Sequence, residues 1–360
     1  MADHMARVVV VRTAPHSIID DVGRAVSLAE FEDIAPPSED LVIKLNLSWT
    51  KFYPASSTSV WTFDAVLHCL RERGYRRERI FPVENGTVVT DPREGVDLNK
   101  WNIVLENYGL EFLPLTEVPW VEVNPKIELP ALRQIFGAVR IPEILIGKNV
   151  LHLPTVKTHG HSVFTGSMKN AFGSFITEVR HRAHLRIHEV LVDLLAIQRE
   201  FCKGVFSVTD GSVIGDGAGP RTMVLKEGNI LMASADMVAS DAVQTWMMFR
   251  KDPFEIPSLE IAHEKGLGVA DLAQIEILGD FHNVESLPFL DMKAKMSPVI
   301  AADRFFRSSV ANDLLFHTPL FNLCIFASAV YHDALWYNLF GRSRIRTFLK
   351  TGWGQLFQGY

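Results

Sequence analysis

Between residues 152 and 170 the chain packs three histidines, two lysines and five hydroxyl side chains into the run His-Leu-Pro-Thr-Val-Lys-Thr-His-Gly-His-Ser-Val-Phe-Thr-Gly-Ser-Met-Lys-Asn. Imidazoles and amines at that density suit two kinds of chemistry. Clustered cations depress one another's pKa, which readies a neutral Lys or His as general base, or a Lys for imine formation. Imidazoles joined by a carboxylate can instead hold a divalent metal. Lys157, His159 and Lys169 are read as catalytic, with His161 and Asn170 as substrate-binding groups. Pro154 and Gly160 interrupt regular structure. The run is therefore expected as a loop after a buried strand at 144–151, the usual place for reactive groups in α/β proteins. As loop residues, Lys157 and His159 are expected to matter for activity and little for stability.

Other positions supply the rest of the candidate site. Lys44 and Asn46 lie two apart in a strand at 41–47 and so share a face. A Lys in a buried strand needs a partner or an anion, and both residues are read as substrate-binding. Glu84 follows a strand at 79–83, and Asp210, read as catalytic, ends a strand at 204–209. Gly217 and Gly219 belong to a glycine loop at 215–220 whose amides can cradle an anion. No helix follows it directly, so it is not a dinucleotide fingerprint and no NAD is expected. His181, His184 and His188 open an amphipathic helix that runs to residue 201, with His184 and His188 four apart on one face. The metal reading takes His159, His161, Glu84, His184 and His188 as ligands to a divalent ion.

These groups need a scaffold, and the hydrophobic pattern supplies one. Four consecutive valines at 8–11 read as a strand buried on both faces. Helices are expected at 20–33, 60–73, 99–108, 236–250 and 255–265, and further strands at 111–115, 229–233 and 273–278. Thr58 or Ser59 is placed to cap the helix at 60, Gly74 to close it, and Asp236 to cap another. Strands alternating with helices imply a mostly parallel sheet. The expected fold is α/β, in two Rossmann-like halves at 1–125 and 126–280, with the reactive run in the second. A helical, aromatic-rich tail at 281–360 packs on the body.

Composition narrows the function. Of 360 residues 48% are apolar and 22% charged, enough for a sizeable core and too apolar for wholesale disorder. A net charge of −6 argues against a nucleic-acid surface. Cys69, Cys202 and Cys324 are far apart, so this chain's thiols assemble no iron–sulfur cluster or structural zinc knot. A reducing, cytoplasmic setting is expected. The apolar stretch at 8–11 is too short for a signal peptide, and residues 1–5 read as a remnant or alternative start. The apolar stretch 319–340 is interrupted by Asn322, His332, Asp333 and Asn338, which disfavours a spanning helix. With Arg342, Arg344, Arg346 and Lys350 after it, peripheral membrane contact through 319–350 is the alternative to packing on the body.

The sequence resembles the domain of unknown function 362 family. The likeness rests on Lys-Leu-Asn-Leu-Ser at 44–48, Leu-Pro-Thr-Val-Lys-Thr-His-Gly at 153–160 and Lys-Asn-Ala-Phe-Gly at 169–173. Asp210-Gly211, the glycines at 217–219 with Pro220, and Asp236 with Asp241 complete the series. The resemblance covers roughly 40–280 and leaves the reaction open. Many members carry a ferredoxin-like cluster domain, and this chain departs from them by lacking the cysteines. The expected function is acid–base or metal-assisted chemistry, as hydrolase, lyase or isomerase, on a small anionic substrate in a cleft between the halves. A non-catalytic metal or anion binder is the alternative, and a membrane-associated accessory protein a third. Oligomeric state is not legible.

Overall fold

The structure, a computed structural model, describes residues 5–309, 312–316, 318 and 320–360, with backbone alone at 178–180, Asn312 and Asp313. Most of the 1–5 segment and Pro319, at the start of the apolar stretch, lie outside the described residues. The body is built on one ten-stranded, mostly parallel sheet. Its path uses Ala6–Arg12 (β1), Leu41–Lys44 (β2), Ile80–Glu84 (β3) and Leu113–Pro114 (β4). Trp120–Val123 (β5) and Val139–Pro142 (β6) pair separately as a small antiparallel ribbon. Asn149–His152 (β7), Thr155–His159 (β8), Val163–Thr165 (β9), Gly204–Ala218 (β10), Thr222–Ser234 (β11) and Ile275–Gly279 (β12) complete the set. The order is β12-β1-β11-β10-β7-β2-β3-β4, with β8 bonded to β10 and β9. Strands from before and after residue 125 thus share one sheet, with β1 set between β12 and β11.

Side-chain alternation explains why both faces are covered. Val8 and Val10 enter one buried cluster, and Val9 and Val11 the other. Successive strand residues point to opposite faces, so a run of valines demands helices on both. Ile187–Phe201 and Met237–Phe249 cover the first face through residues such as Val190, Leu194, Val238 and Ala242. Ile18–Leu28 and Val60–Glu72 cover the second through Ile18, Val22, Val60 and Phe63. The expected caps are present: Ser59 accepts from Thr62 N and Asp236 from Val238 N and Ala239 N. Gly74 closes the second-face helix at φ 81°. The expected helix at 20–33 is split, because Glu30 takes the left-handed conformation before a separate turn, Phe31–Ile34.

Two larger differences shape the site. The expected strand at 144–151 begins only at Asn149, after a short 3-10 turn at Glu143–Leu145 and the positive-φ Gly147. The reactive run is not a loop: it leaves β7 through Leu153 and Pro154 and forms the hairpin β8–β9, fully buried along β8. Likewise the strand expected to stop at residue 209 continues through Asp210 to Ala218, paired with β11 along most of that length. The glycine loop is therefore the far end of a long hairpin. Gly217 O accepts from Thr158 Oγ1 and from Lys295 N, and Gly160 N donates to Gly219 O. The carbonyls of these glycines thus bond protein, and Gly219 lines the cavity described below.

The reason for Gly219 is contact distance. A Cβ built there would stand 1.8 Å from the Thr158 carbonyl oxygen, whereas one on Gly217, at φ 97°, meets open space. Gly219→Ala is expected to cost on the order of 3 kcal/mol by forcing the two strands apart, against about 1 kcal/mol for Gly217→Ala. Denaturant titration of both variants measures the difference, and equal costs would refute the packing account.

Candidate active site at the strand tips

The parallel strands β2, β3 and β7 end side by side, with Lys44 in register with both Val83 and His152. Their tips form the floor of a cavity of about 430 Å³. Lys44 Nζ donates to Glu84 Oε1 at 2.7 Å and to Leu45 O at 2.6 Å, and both side chains of the pair are buried. Glu84 Oε1 also accepts from Asn85 N. Lys44 is thus held by a carboxylate, with Glu84 as its counter-ion.

From this pair a continuous hydrogen-bonded chain runs under the floor. Asn170 donates through Nδ2 to Lys44 O and to His152 Nδ1, and its Oδ1 accepts from Asn46 Nδ2. His152 Nε2 meets Gln198 Oε1 at 2.7 Å, so the ring carries its proton on Nε2. Burial, with Lys44 nearby, pushes His152 down to about 3 and keeps it neutral. Asn46 Oδ1 in turn accepts from Lys157 Nζ at 2.6 Å, and that ammonium also donates to Ser56 O and Thr155 Oγ1. Lys157 is fully buried in β8, and burial with the nearby Lys169 lowers its pKa well below the usual lysine value.

Lys157 therefore lies behind the cavity wall. Asp210 does too: in mid-strand, it accepts from Ser59 Oγ and from Ser212 N. Neither lines the cavity. Both were expected as catalytic, and the structure sets them off the cavity with their polar atoms bonded to neighbouring segments.

The residues that do face the cavity include Lys44, Asn46, Glu84, His159, His161, Lys169, Asn170, His184 and Gly219. His159 Nδ1 accepts from His161 N and Ser162 N, which fixes the proton on Nε2. A ring so fixed offers a donor, not a lone pair, to the cavity, and this removes His159 from the metal set. Burial, then Lys169, holds it far below the usual imidazole range. Lys169 stands over the Phe172 ring at 5.3 Å. It rides on a short helix, Ser167–Asn170, whose first amides are gripped by Asp241: Ser167 N at 2.6 Å and Met168 N at 3.0 Å. Gly166 permits that grip, since a Cβ there would lie 2.3 Å from Asp241 Oδ1.

His161 stacks on His184, centroids 4.3 Å apart and planes 15° apart. His161 Nε2 is 3.7 Å from Asp303 Oδ2. Ligand atoms of His161, His184 and Asp303 all lie within 4.8 Å of one another. Burial pushes His161 down to about 3 and His184 well below its ordinary value, so both rings keep their lone pairs. His188 is not part of this group: its Nδ1 pairs with Ser258 Oγ at 3.2 Å. The 184/188 spacing fails because residues 178–186 form 3-10 turns and the α-helix starts only at Ile187.

The roof is the part that sequence reasoning missed. Helix Pro298–Arg307 brings Ile300, Asp303, Phe306 and Arg307 over the cavity, and Phe321–Ala329 brings Phe321, Cys324 and Ile325. Arg307 Nε grips both Asp303 oxygens at 2.9–3.0 Å. Arg304 donates to Gly160 O and His161 O, tying the roof to the tip of the β8–β9 hairpin. The four-residue Asp303–Arg307 spacing was the available signal. Arg221, lowered to about 10 mainly by burial, and His332 also line the cavity. Chemically, the arrangement offers two lone-pair imidazoles and a carboxylate, an N–H donor, and cationic side chains around a mostly apolar space.

Likenesses to known proteins bear on the floor more than the roof. The sequence profile of the family described as "Domain of unknown function (DUF362)" matches residues 41–246, more than half of the chain. That span holds Lys44, Glu84, His161, Lys169 and His184 but not Asp303. A thylakoid-associated protein of Synechocystis sp. is 29% identical over 174 residues, 46% of this chain and 52% of its own length. The chain thus spans about half of that relative. A crystal structure of a Thermotoga maritima protein superposes with a TM-score of 0.35 at 12% identity, over 60% of this chain and 55% of that one. That likeness is too loose to carry an argument.

Two outcomes follow from the geometry. Lys157→Ala strands three buried acceptors and leaves a cavity, and is expected to cost about 2–5 kcal/mol. Thermal denaturation that finds the variant as stable as the parent would restore the loop reading. Burial raises Asp241 to about 7 from an ordinary 3.8. A raised carboxyl favours the folded state at low pH, and that contribution is lost as pH rises through about 7. The stability of the parent relative to Asp241→Asn is therefore expected to fall between about pH 4 and 7, a slope that melting temperatures across that range measure directly.

Proposed function

This chain belongs to the DUF362 family, and we propose that its cavity performs acid–base or metal-assisted chemistry on a small organic anion. The observation that carries the reading is the convergence of His161, His184 and Asp303 within 4.8 Å, in a cavity that also holds Lys169 and His159. Two imidazoles and one carboxylate form a donor set suited to a borderline divalent cation such as zinc. Both rings are neutral by burial and Asp303 is oriented by Arg307, so the set fits such an ion. A cation held there supplies Lewis acidity toward a substrate oxygen.

The chain's own residues do the rest. Lys169, with Arg307 and Arg221 further out, gives the cavity a positive field that draws in an anion. His159, its Nδ1 held by two main-chain amides, stays neutral and presents Nε2–H to a substrate oxygen as a hydrogen-bond donor. The helical roof limits water, which strengthens these interactions. Hydrolysis, elimination and isomerisation all remain open to this set.

A second reading is a non-catalytic metal or anion binder. It is favoured by how many cavity groups are already engaged, with Lys44 on Glu84 and Asn46 on Lys157. We place the protein in the cytoplasm, where its three free thiols, two of them buried, persist without oxidation. No helix among the described residues is long and apolar enough to cross a membrane. The Synechocystis relative's association with thylakoids leaves membrane-surface association open beside it.

Calorimetric titration of the chelator-stripped protein with zinc tests the metal centre. About one ion per chain is expected, with His184→Ala or Asp303→Asn weakening binding roughly 10–100-fold. Unchanged affinity in both variants would dismiss the centre. Turnover lost in Lys169→Met while zinc affinity holds would favour the enzyme over the binder.

A further inference from the structure

The roof helices have a second, outer face. Among the described residues, twelve of the nineteen exposed large apolar side chains fall between Phe289 and Phe340. The remaining seven are scattered singly over the body, as isolated surface apolar residues usually are. The twelve are also the more prominent. Phe305 is 67% exposed, Leu323 64%, Phe326 68% and Leu339 67%.

Helix geometry gathers much of this into a line. Residues 321–348 are helical without a break, and between Val330 and Gly341 the winding widens to π turns. Outward positions recur every three to four residues before Val330 and every four to five within the π turns, so Leu323, Phe326, Val330, Leu335 and Leu339 follow one another along the helix. Arg342 and Arg346, both exposed, prolong that line. Inward positions of the same helix meet the cavity or the body, as Ile325 and Trp336 do.

Charge identifies what this face meets. Residues 290–360 carry eight Lys and Arg against four Asp and no Glu, a net +4, although the whole chain is −6. The rest of the molecule therefore bears −10. Asp303 is already occupied by Arg307, and Asp333 accepts from Trp49 Nε1, while Lys293, Lys295, Arg304 and Lys350 are exposed. A second copy meeting this face by a two-fold axis would set two cationic surfaces against each other. A lipid surface with anionic headgroups suits both features at once. It takes large apolar side chains at the acyl boundary and cations at the headgroups, and the helix is not one that spans.

We propose that the outer face of Pro298–Arg307 and of the helix at 321–348 seats the protein on an anionic lipid surface, with the body and the cavity floor on the water side. This seating is independent of the chemistry assigned to the cavity.

Flotation of the full chain with phosphatidylcholine–phosphatidylglycerol vesicles, beside vesicles of phosphatidylcholine alone, tests the proposal. The chain is expected to float with the anionic vesicles and to be released by high salt. Leu323→Ser combined with Phe326→Ser should weaken binding about tenfold or more. Arg342→Gln combined with Arg346→Gln should weaken it several-fold, about fivefold per cation at most. All four side chains are exposed, so melting temperatures should stay at the parent value, which separates lost docking from lost folding. A parent chain that stays unbound to both vesicle types overturns the proposal. So does equal binding by the Leu323/Phe326 variant, or a dimer in sedimentation that this variant dissolves while vesicles go unbound.

Discussion

An ammonium group sealed inside a protein must find an acceptor for each of its protons, and Lys157 finds three on three separate pieces of chain. Asn46 follows β2, Ser56 lies in the loop beyond it, and Thr155 shares β8 with the lysine. Meeting that demand fixes where the β2 tip stands relative to the hairpin. Asn46 can satisfy Lys157 only with its carbonyl, which leaves its amide group to turn toward Asn170, and Asn170 then spans Lys44 O and His152. Each polar group thus dictates the orientation of the next, and a half-satisfied version would be worse than an apolar wall. The cavity floor is the exposed edge of this arrangement.

The roof obeys a different logic. It is made by a part of the chain beyond the family-matched span, and it is largely apolar, with Asp303 and Arg307 its charged members. Arg307 is itself almost buried, lying 3.8 Å over the Phe316 ring while gripping Asp303. The guanidinium therefore joins its own helix to the short helix Asn312–Phe316 and orients a carboxylate toward the imidazole pair. Floor and roof meet where Arg304 takes the carbonyls of Gly160 and His161. The hairpin tip is the hinge between a scaffold that the family profile covers and a cover that it does not.

Much of this was legible in the sequence because it follows from short-range rules. Four valines in a row announced a strand buried on both sides, and Ser59 and Asp236 announced helix starts. Most of the residues pooled as a site from 44 to 219 do line one cavity. What misled was polarity. Residues 155–165 are rich in His, Lys and hydroxyls, which reads as a solvated loop, yet they form a buried hairpin because partners from distant segments satisfy them. Lys157 and Asp210 looked reactive for the same reason, yet both lie off the cavity lining. His188 fell away because one stretch of 3-10 turns before Ile187 rotated it off the face of His184. Asp303 was passed over because nothing local marks a tail helix as the cover of a pocket.

Helix Phe321–Ala329 lines the cavity with Cys324 and Ile325 and presents Leu323 and Phe326 on the outside. A rigid rod cannot shift one flank and leave the other where it was. If an occupant beneath shifts this rod, the coupling between the two flanks is the same size read from either side. One helix thus belongs at once to the lining of the cavity and to the outer face.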